Sequence, residues 1–177
     1  MLNLSAHLQL MAEYNSWMNN KLILALAGQS EEVLKQNKGA FFGSILGTLN
    51  HIITADLAWF WRMKKARSFA ELARLSDFPM PDLQKPNMFE NFADYIKARK
   101  ALDTIIIKFI ESIDEETLAA PFDYSRANGE KYRKILGMVL CHFFNHQTHH
   151  RGQATTLLSQ IGIDVGATDL NLLIAEI

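Results

Sequence analysis

The sequence lacks several features that would place it in a familiar class of protein. Its single cysteine, Cys141, excludes an internal disulfide, and its formal net charge of −1 gives no broad charged surface for nucleic acid or anionic lipid. No GxSxG, phosphate-binding loop or dinucleotide-binding motif is present. Residues 1–14 also lack the basic start and apolar run of a secretory signal. We therefore expect a cytoplasmic protein that binds neither nucleic acid nor membrane.

The chain also lacks a long hydrophobic run free of polar side chains. The most apolar segment, Phe41 to Met63, is long enough to cross a bilayer, but Asn50, His51 and Asp56 lie in its middle. Because polar groups are costly in lipid, a buried helix of a folded protein is the better interpretation. A chain of 177 residues is about the size of one domain, so we expect residues 1–177 to form a single domain.

Four long segments have apolar residues at the three-and-four spacing of helices, which predicts an all-α helix bundle. The predicted helices cover about residues 4–27, 41 or 43 to 65, 88–112 and 131–160. Gly28 and Gly162 follow the first and the last of them as stop signals. Asn15 falls within the apolar stripe of the first helix.

The segments between these helices predict the remaining architecture. Residues 66–87 contain three prolines, Pro79, Pro81 and Pro86. Proline has no amide donor, so this segment should hold at most one short helix. A connector of this length can cross a bundle, and the second and third helices could then lie parallel.

Two smaller elements are predicted near the C-terminal half. Asn128-Gly129 lies between short runs that contain Tyr124 and Tyr132, and this dipeptide favours a tight turn. We therefore expect a small β-hairpin before the fourth long helix. A last short helix is expected to begin after Thr168, which would be its N-cap.

Four of the six histidines fall within 142-HFFNHQTHHRGQ-153, inside the fourth predicted helix. Helical spacing places His146 and His150 in an inward stripe with apolar residues such as Phe143 and Leu157. A buried imidazole needs partners for its ring nitrogens, which can be other side chains, ordered water or a metal.

Only histidines one helical turn apart can chelate the same ion, because positions two turns apart are too distant. This leaves three pairs: His142/His146, His146/His149 and His146/His150. His146 belongs to all three, and His150 is its best partner because it shares the core stripe. His149 lies one position off the stripe, and His142 could instead supply a hydrogen bond. Hydrogen bonding of these histidines to backbone or water remains the alternative to a metal site.

A third ligand would have to come from another helix. His51 is the other histidine within a strongly buried segment, and small neighbours such as Gly47 and Ala55 leave room beside it. Asp56 could support a ligand, or it could pair with an arginine such as Arg62 or Arg151.

Together these residues resemble the DinB/YfiT-like family of metal-dependent enzymes. The resemblance covers nearly the whole chain and depends on the order and spacing of four segments. They are 14-YNSWMNNKL-22, 44-SILGTLNHIITADLAWFWR-62, 146-HQTHHRGQ-153 and 162-GIDVGATDL-170.

The resemblance implies a four-helix bundle of up-down-down-up topology that is usually a homodimer. By position, it assigns His51, His146 and His150 as ligands of a divalent metal, with zinc and nickel both compatible with imidazole. His149 occupies a position where an aromatic residue is common, which makes it a neighbour of the site.

The resemblance also implies a function. Some relatives transfer a low-molecular-weight thiol to an electrophile, and by analogy Asp56, Asn15 or Arg151 could orient such a substrate. Hydrolysis by a metal-activated water is chemically just as accessible. A third hypothesis is a non-enzymatic, stress-associated dimeric bundle whose metal is structural or incidental.

Overall fold

The computed structural model describes residues 3–82, 84–85, 87–126 and 128–176, and most of them are helical. Pro86, which belongs to the predicted connector, lies outside these residues. The α-helices are α1 (Leu4–Ala25), α2 (Glu31–Lys35), α3 (Ile45–Ala66), α4 (Phe92–Ser112), α5 (Glu115–Ala119) and α6 (Leu136–Ser159). Two 3-10 helices cover Ala70–Asp77 and Leu170–Leu173, and strands β1 (Pro121–Ser125) and β2 (Lys131–Ile135) form one antiparallel sheet. A mainly helical protein with a hairpin is therefore confirmed.

Side-chain caps define where the first three long helices begin. Asn3 accepts a hydrogen bond from the Ala6 amide at α1, and Ser44 accepts one from the Gly47 amide at α3. Asn91 caps α4 in the same way, so this helix begins at Phe92 and not at residue 88. These caps satisfy amides that have no partner within the helix.

The fourth long helix begins later than predicted. Residues 131–135, where the predicted hairpin and the predicted helix overlapped, form β2 and pair with β1, so the hairpin prediction was right there and the helix prediction was wrong. Tyr132 lies directly opposite Tyr124, and their rings stack with centroids 5.3 Å apart. Cross-strand aromatic pairs of this kind stabilise a sheet, and they explain why the segment is extended. Gly129 has φ 85°, which suits the turn that its position predicted.

The C-terminal helix is present as the 3-10 helix Leu170–Leu173, but Thr168 is not its cap. The residue before the helix is Asp169, whose side chain makes no capping hydrogen bond. The Thr168 carbonyl instead accepts a hydrogen bond of 2.8 Å from the Tyr14 hydroxyl. This contact ties the end of the chain to α1.

The short helices α2 and α5 were not predicted. Each has only five residues, which is too short for a helical repeat of apolar positions to be recognised. Ser30 and Asp114 cap them, and each buries a single leucine, Leu34 or Leu118.

The four long helices contribute buried apolar side chains to one core cluster. Contacts between these helices have a consistent order along the chain. Residues later in α3 contact residues earlier in α6, so their order along the chain is opposite, as in His51 with His146 and Trp59 with His142. Contacts of α3 and α4 run in the same order, as in Asp56 with Arg99 and Phe60 with Phe109. Those of α1 and α6 also run in the same order, as in Leu4 with Gly137 and Asn15 with Arg151.

Within the described parts of the chain, each helix is too short or too polar to traverse a lipid bilayer.

Candidate metal centre

The structure brings together the three histidines that the sequence singled out. His51 lies on α3, and His146 and His150 lie one turn apart on α6. One ring nitrogen from each histidine can be chosen so that all three lie within 4.8 Å of one another. The Nε2 atoms of His51 and His146 are 3.2 Å apart. The cluster is therefore made by the contact between the two helices.

The spacing of these nitrogens fits a metal ion. Two imidazole nitrogens that bind one tetrahedral ion at about 2.0 to 2.1 Å are about 3.3 to 3.4 Å from each other. The observed separation of the His51 and His146 nitrogens is close to this value. The ring of His150 completes the triangle, with centroids 4.3 Å from His146 and 4.5 Å from His51. The three side chains could hold a metal ion, while their role as its ligands stays a prediction.

The surroundings of the cluster keep the imidazoles neutral. Burial, together with the charge of His150, lowers the pKa of His51 to about 4. Burial, followed by the charges of the neighbouring histidines, lowers the pKa of His146 to about 3. A neutral imidazole keeps a lone pair, which is the form that binds a metal.

The third histidine is oriented by a hydrogen bond. His150 Nδ1 lies 2.8 Å from Gln153 Oε1, one turn further along α6. With that amide oxygen as acceptor, Nδ1 carries the proton and Nε2 retains its lone pair. Burial lowers the pKa of His150, although this hydrogen bond and Asp56 act in the opposite direction. Gln153 thus fixes which nitrogen of His150 is available.

A loop before α3 covers one side of the cluster. The ring of Phe42 stacks on His51 with centroids 3.9 Å apart and meets the edge of His150 at 5.3 Å. This approach requires a glycine at position 47, because a Cβ there would lie 2.2 Å from the Phe42 carbonyl oxygen. The predicted start of this helix at Phe41 or Gly43 is too early, since α3 begins at Ile45, and no role in the site was predicted for Phe42.

The candidate Asp56 lies in a buried polar network and not among the histidine rings. Its Oδ2 accepts hydrogen bonds from Arg99 Nη1 at 2.6 Å and from Gln147 Nε2 at 2.9 Å. The prediction of an arginine partner was right in kind, but the partner is neither Arg62 nor Arg151. Burial raises the pKa of Asp56, and Arg99 opposes that shift.

The candidates Asn15 and Arg151 belong to the same network. Arg151 Nη1 donates to Asn15 Oδ1, and Asn15 Nδ2 donates to Asp103 Oδ1 at 3.0 Å. Asp103 also lies 2.8 Å from Arg99 Nη2, which links it to Asp56. All of these side chains are buried. The network therefore joins α1, α3, α4 and α6 in the interior.

Sequence reasoning missed four members of this network: Gln147, Arg99, Asp103 and Asn19, whose amide donates to Asp103 at 3.0 Å. A signal was present, because Gln147 and Arg151 are four residues apart, as are Arg99 and Asp103. Polar pairs at this spacing lie on one face of a helix, here within apolar surroundings.

The remaining histidines of α6 are exposed. His149 is peripheral, as predicted, and its Nε2 atom lies 3.4 Å from the Nε2 atom of Gln153. The ring of His142 meets the edge of Trp59, with centroids 5.6 Å apart.

The chain is similar to known proteins over almost its whole length. A family model described as the DinB family matches residues 2–176. Protein DinB of Bacillus subtilis (strain 168) is 25% identical over 160 residues, which cover 90% of this chain and 89% of the relative. No solved structure matches the chain.

Proposed function

The chain belongs to the DinB family, and on that premise we propose that it is a metal-dependent enzyme whose metal is held by His51, His146 and His150. The convergence of three neutral, half-buried imidazole rings is the observation that supports this most strongly. Three protein ligands leave coordination positions for a substrate, which is typical of catalytic sites. Zinc and nickel both suit this donor set.

The proposed reaction transfers a low-molecular-weight thiol to an electrophile. A bound divalent ion would lower the pKa of a thiol at an open coordination position, so that the thiolate predominates at neutral pH. Such a transfer would form one carbon–sulfur bond and break the bond between that carbon and its leaving group, which would keep the electron pair, while the thiol proton would pass to solvent. Phe42 keeps water from one face of His51, and Gln153 holds His150 in the required tautomer.

The roles of Asp56, Asn15 and Arg151 in this proposal are indirect. Their burial and mutual pairing favour a function in holding the helices in position over direct contact with a substrate. Gln147, which donates to Asp56, directly follows His146 on α6. The network therefore fixes the turn of α6 that carries a proposed ligand.

The proposed architecture is a single-domain four-helix bundle over residues 1–177 with up-down-down-up topology. The order of the contacts supports it, because the contacts of α3 with α4 and of α1 with α6 run in the same order along the chain, whereas those of α3 with α6 run in the opposite order. A homodimer, which the family resemblance implies, and a cytoplasmic location, which the sequence composition favours, complete the proposal.

A thiol-conjugation assay tests the proposed reaction. Untagged protein loaded with zinc or nickel would be supplied with common low-molecular-weight thiols and a chromogenic electrophile. We expect conjugation that is lost on chelation and in the His146→Ala/His150→Ala variant, while the exposed His142→Ala/His149→Ala control retains it. Conjugation at an unchanged rate without metal would refute the proposal.

Hydrolysis is the second candidate, because the same imidazole donor set suits the activation of water. Metal-dependent hydrolysis of an ester or amide, with no conjugation of any thiol, would favour it. Metal binding with neither activity would favour the non-enzymatic bundle.

A further inference from the structure

A concave region lies between the C-terminal end of α3 and the hairpin, away from the histidines. It encloses a cavity of about 450 Å³. Arg62 and Lys65 border it from α3, and Tyr124, Lys131 and Arg133 border it from the strands. The region is called the hairpin pocket below. Its volume is in the range of pockets that hold small organic molecules, about 300 to 1,000 Å³.

The hairpin pocket carries an excess of positive charge. Four cationic side chains border it, and Asp123 is the carboxylate among its lining residues. Asp123 lies 3.9 Å from Arg133, and both are largely exposed. Among the described residues, no carboxylate forms a salt bridge with Arg62, Lys65 or Lys131. The charge of these three side chains is therefore left for solvent or for a ligand.

Aromatic rings hold the arginine of this pocket in place without neutralising it. The Arg62 guanidinium carbon lies 4.7 Å from the ring centroid of Trp59 and 6.0 Å from that of Tyr124. Tyr124 in turn stacks on Tyr132. Burial lowers the pKa of Arg62, which means that its charge has lost part of its hydration. An anion beside it would restore favourable interactions for that charge.

We propose that the hairpin pocket binds a small organic anion that carries an aromatic ring. The anionic group would lie between Arg62 and Lys65, and the ring would lie against the partly exposed Tyr132. Tyr124 is only 9% exposed and already packs on Phe122 and Tyr132, so it would support Tyr132 from behind. This combination uses both properties of the lining, since aromatic rings pack edge-to-face or offset against tyrosine while carboxylate or phosphate oxygens pair with a guanidinium.

The hairpin pocket is separate from the histidine cluster. Arg62 lies eleven residues after His51 on α3, which corresponds to about 16 Å along a helix. Binding there does not require the metal, so the proposal stands or falls independently of the enzymatic one.

Titration with 1-naphthoate and its neutral counterpart 1-naphthamide, followed by nuclear magnetic resonance of the full chain, tests the proposal. We expect 1-naphthoate to shift the amide signals of residues 62–66, 123–125 and 131–133, and 1-naphthamide to bind about tenfold more weakly. The Arg62→Gln/Lys65→Gln variant should lose a similar factor in affinity. The matched variant Lys100→Gln/Lys108→Gln removes two exposed charges on α4 and should bind normally.

Further variants keep the test decisive if Arg62→Gln/Lys65→Gln does not fold. Lys131→Gln/Arg133→Gln removes the strand cations and should also weaken binding of 1-naphthoate. The His146→Ala/His150→Ala variant should bind it normally. Equal affinity for the two probes, equal affinity in all variants, or shifts confined to the histidine cluster would each overturn the proposal.

Discussion

Two polar regions occupy neighbouring residues of α6 but differ in depth and in charge balance. His146 and His150 are half-buried and turn ring nitrogens toward His51. Gln147 and Arg151, each one residue further, are 0% and 2% exposed and make hydrogen bonds to other helices. A helix advances by about 100° per residue, so a shift of one position separates an interior network from an accessible cluster.

The same difference appears in the electrostatics. In the network, Arg99 lies between two carboxylates and Arg151 adds a second buried cation, so that the buried charges balance one another. The histidine cluster gathers three bases, and burial and repulsion from neighbouring histidines lower their pKa values. Paired buried charges indicate a structural role, whereas converging neutral lone pairs indicate a binding site.

The largest effect on stability is expected from breaking the network. Arg99→Ala would leave Asp56 and Asp103 buried without their cation, and it should lower the free energy of unfolding by about 3 to 5 kcal/mol. Urea denaturation measures this change. Arg74→Ala is the matched control, because Arg74 is 71% exposed in its pair with Asp77 and should cost less than about 1 kcal/mol. Similar losses in the two variants would contradict the structural role of the network.

Removing a histidine of the cluster should cost little stability but should abolish metal binding. His146→Ala removes a half-buried imidazole, so the metal-free protein should lose no more than about 1 kcal/mol in stability. Its metal content, measured by mass spectrometry after loading and desalting, should fall to background. His149→Ala, on the exposed side of α6, should keep its metal. A loss of metal in His149→Ala alone would reverse the assignment of ligand and neighbour.

Acid should destabilise the metal-free protein through the histidine cluster. The pKa of a histidine in the unfolded chain is about 6.5. In the folded protein the pKa is about 4 for His51 and about 3 for His146. The unfolded chain therefore binds more protons between these values, and the stabilisation present above about pH 6.5 is lost as the pH falls toward 4 and then 3.

Urea denaturation of metal-free protein between pH 4 and pH 7 measures this dependence. The His51→Gln/His146→Gln variant should show a shallower slope by up to about two protons. His142→Gln, at an exposed position, should retain the original slope. An unchanged slope in the double variant would show that folding does not lower the pKa values of His51 and His146.

The smallest effect concerns the cover of the cluster. Phe42→Ala removes the ring stacked on His51, so the pKa of His51 should rise toward its ordinary value as the imidazole gains hydration. Nuclear magnetic resonance titration of the metal-free protein measures it. Phe41→Ala is the matched control, because that neighbouring ring is 91% exposed. Equal shifts in both variants would mean that Phe42 does not shield the histidine.

Much of this arrangement could be predicted from the sequence, because helical spacing is local. The long helices and the convergence of His51 with His146 and His150 followed from periodicity and from the family resemblance. The depth of each stripe could not be predicted, since Gln147 and the histidines lie on adjacent stripes, and contacts with other helices decide which is interior. The partner of Asp56 was missed for the same reason, because Arg99 is distant in sequence.

Local sequence patterns also gave a wrong prediction where one segment can form either a helix or a strand. Residues 131–135 have spacing that can continue a helix, but pairing with β1 makes them extended. The position of Phe42 depends on the space left by Gly47 on the next helix, which a pattern of apolar residues does not reveal.

The central claim is that one divalent metal ion binds to three particular histidines. Anomalous diffraction from crystals of untagged protein grown with zinc tests it most directly. We expect one strong peak at about 2.0 to 2.1 Å from a ring nitrogen of each of His51, His146 and His150. A peak at His142 or His149, or no peak at the cluster, would contradict it.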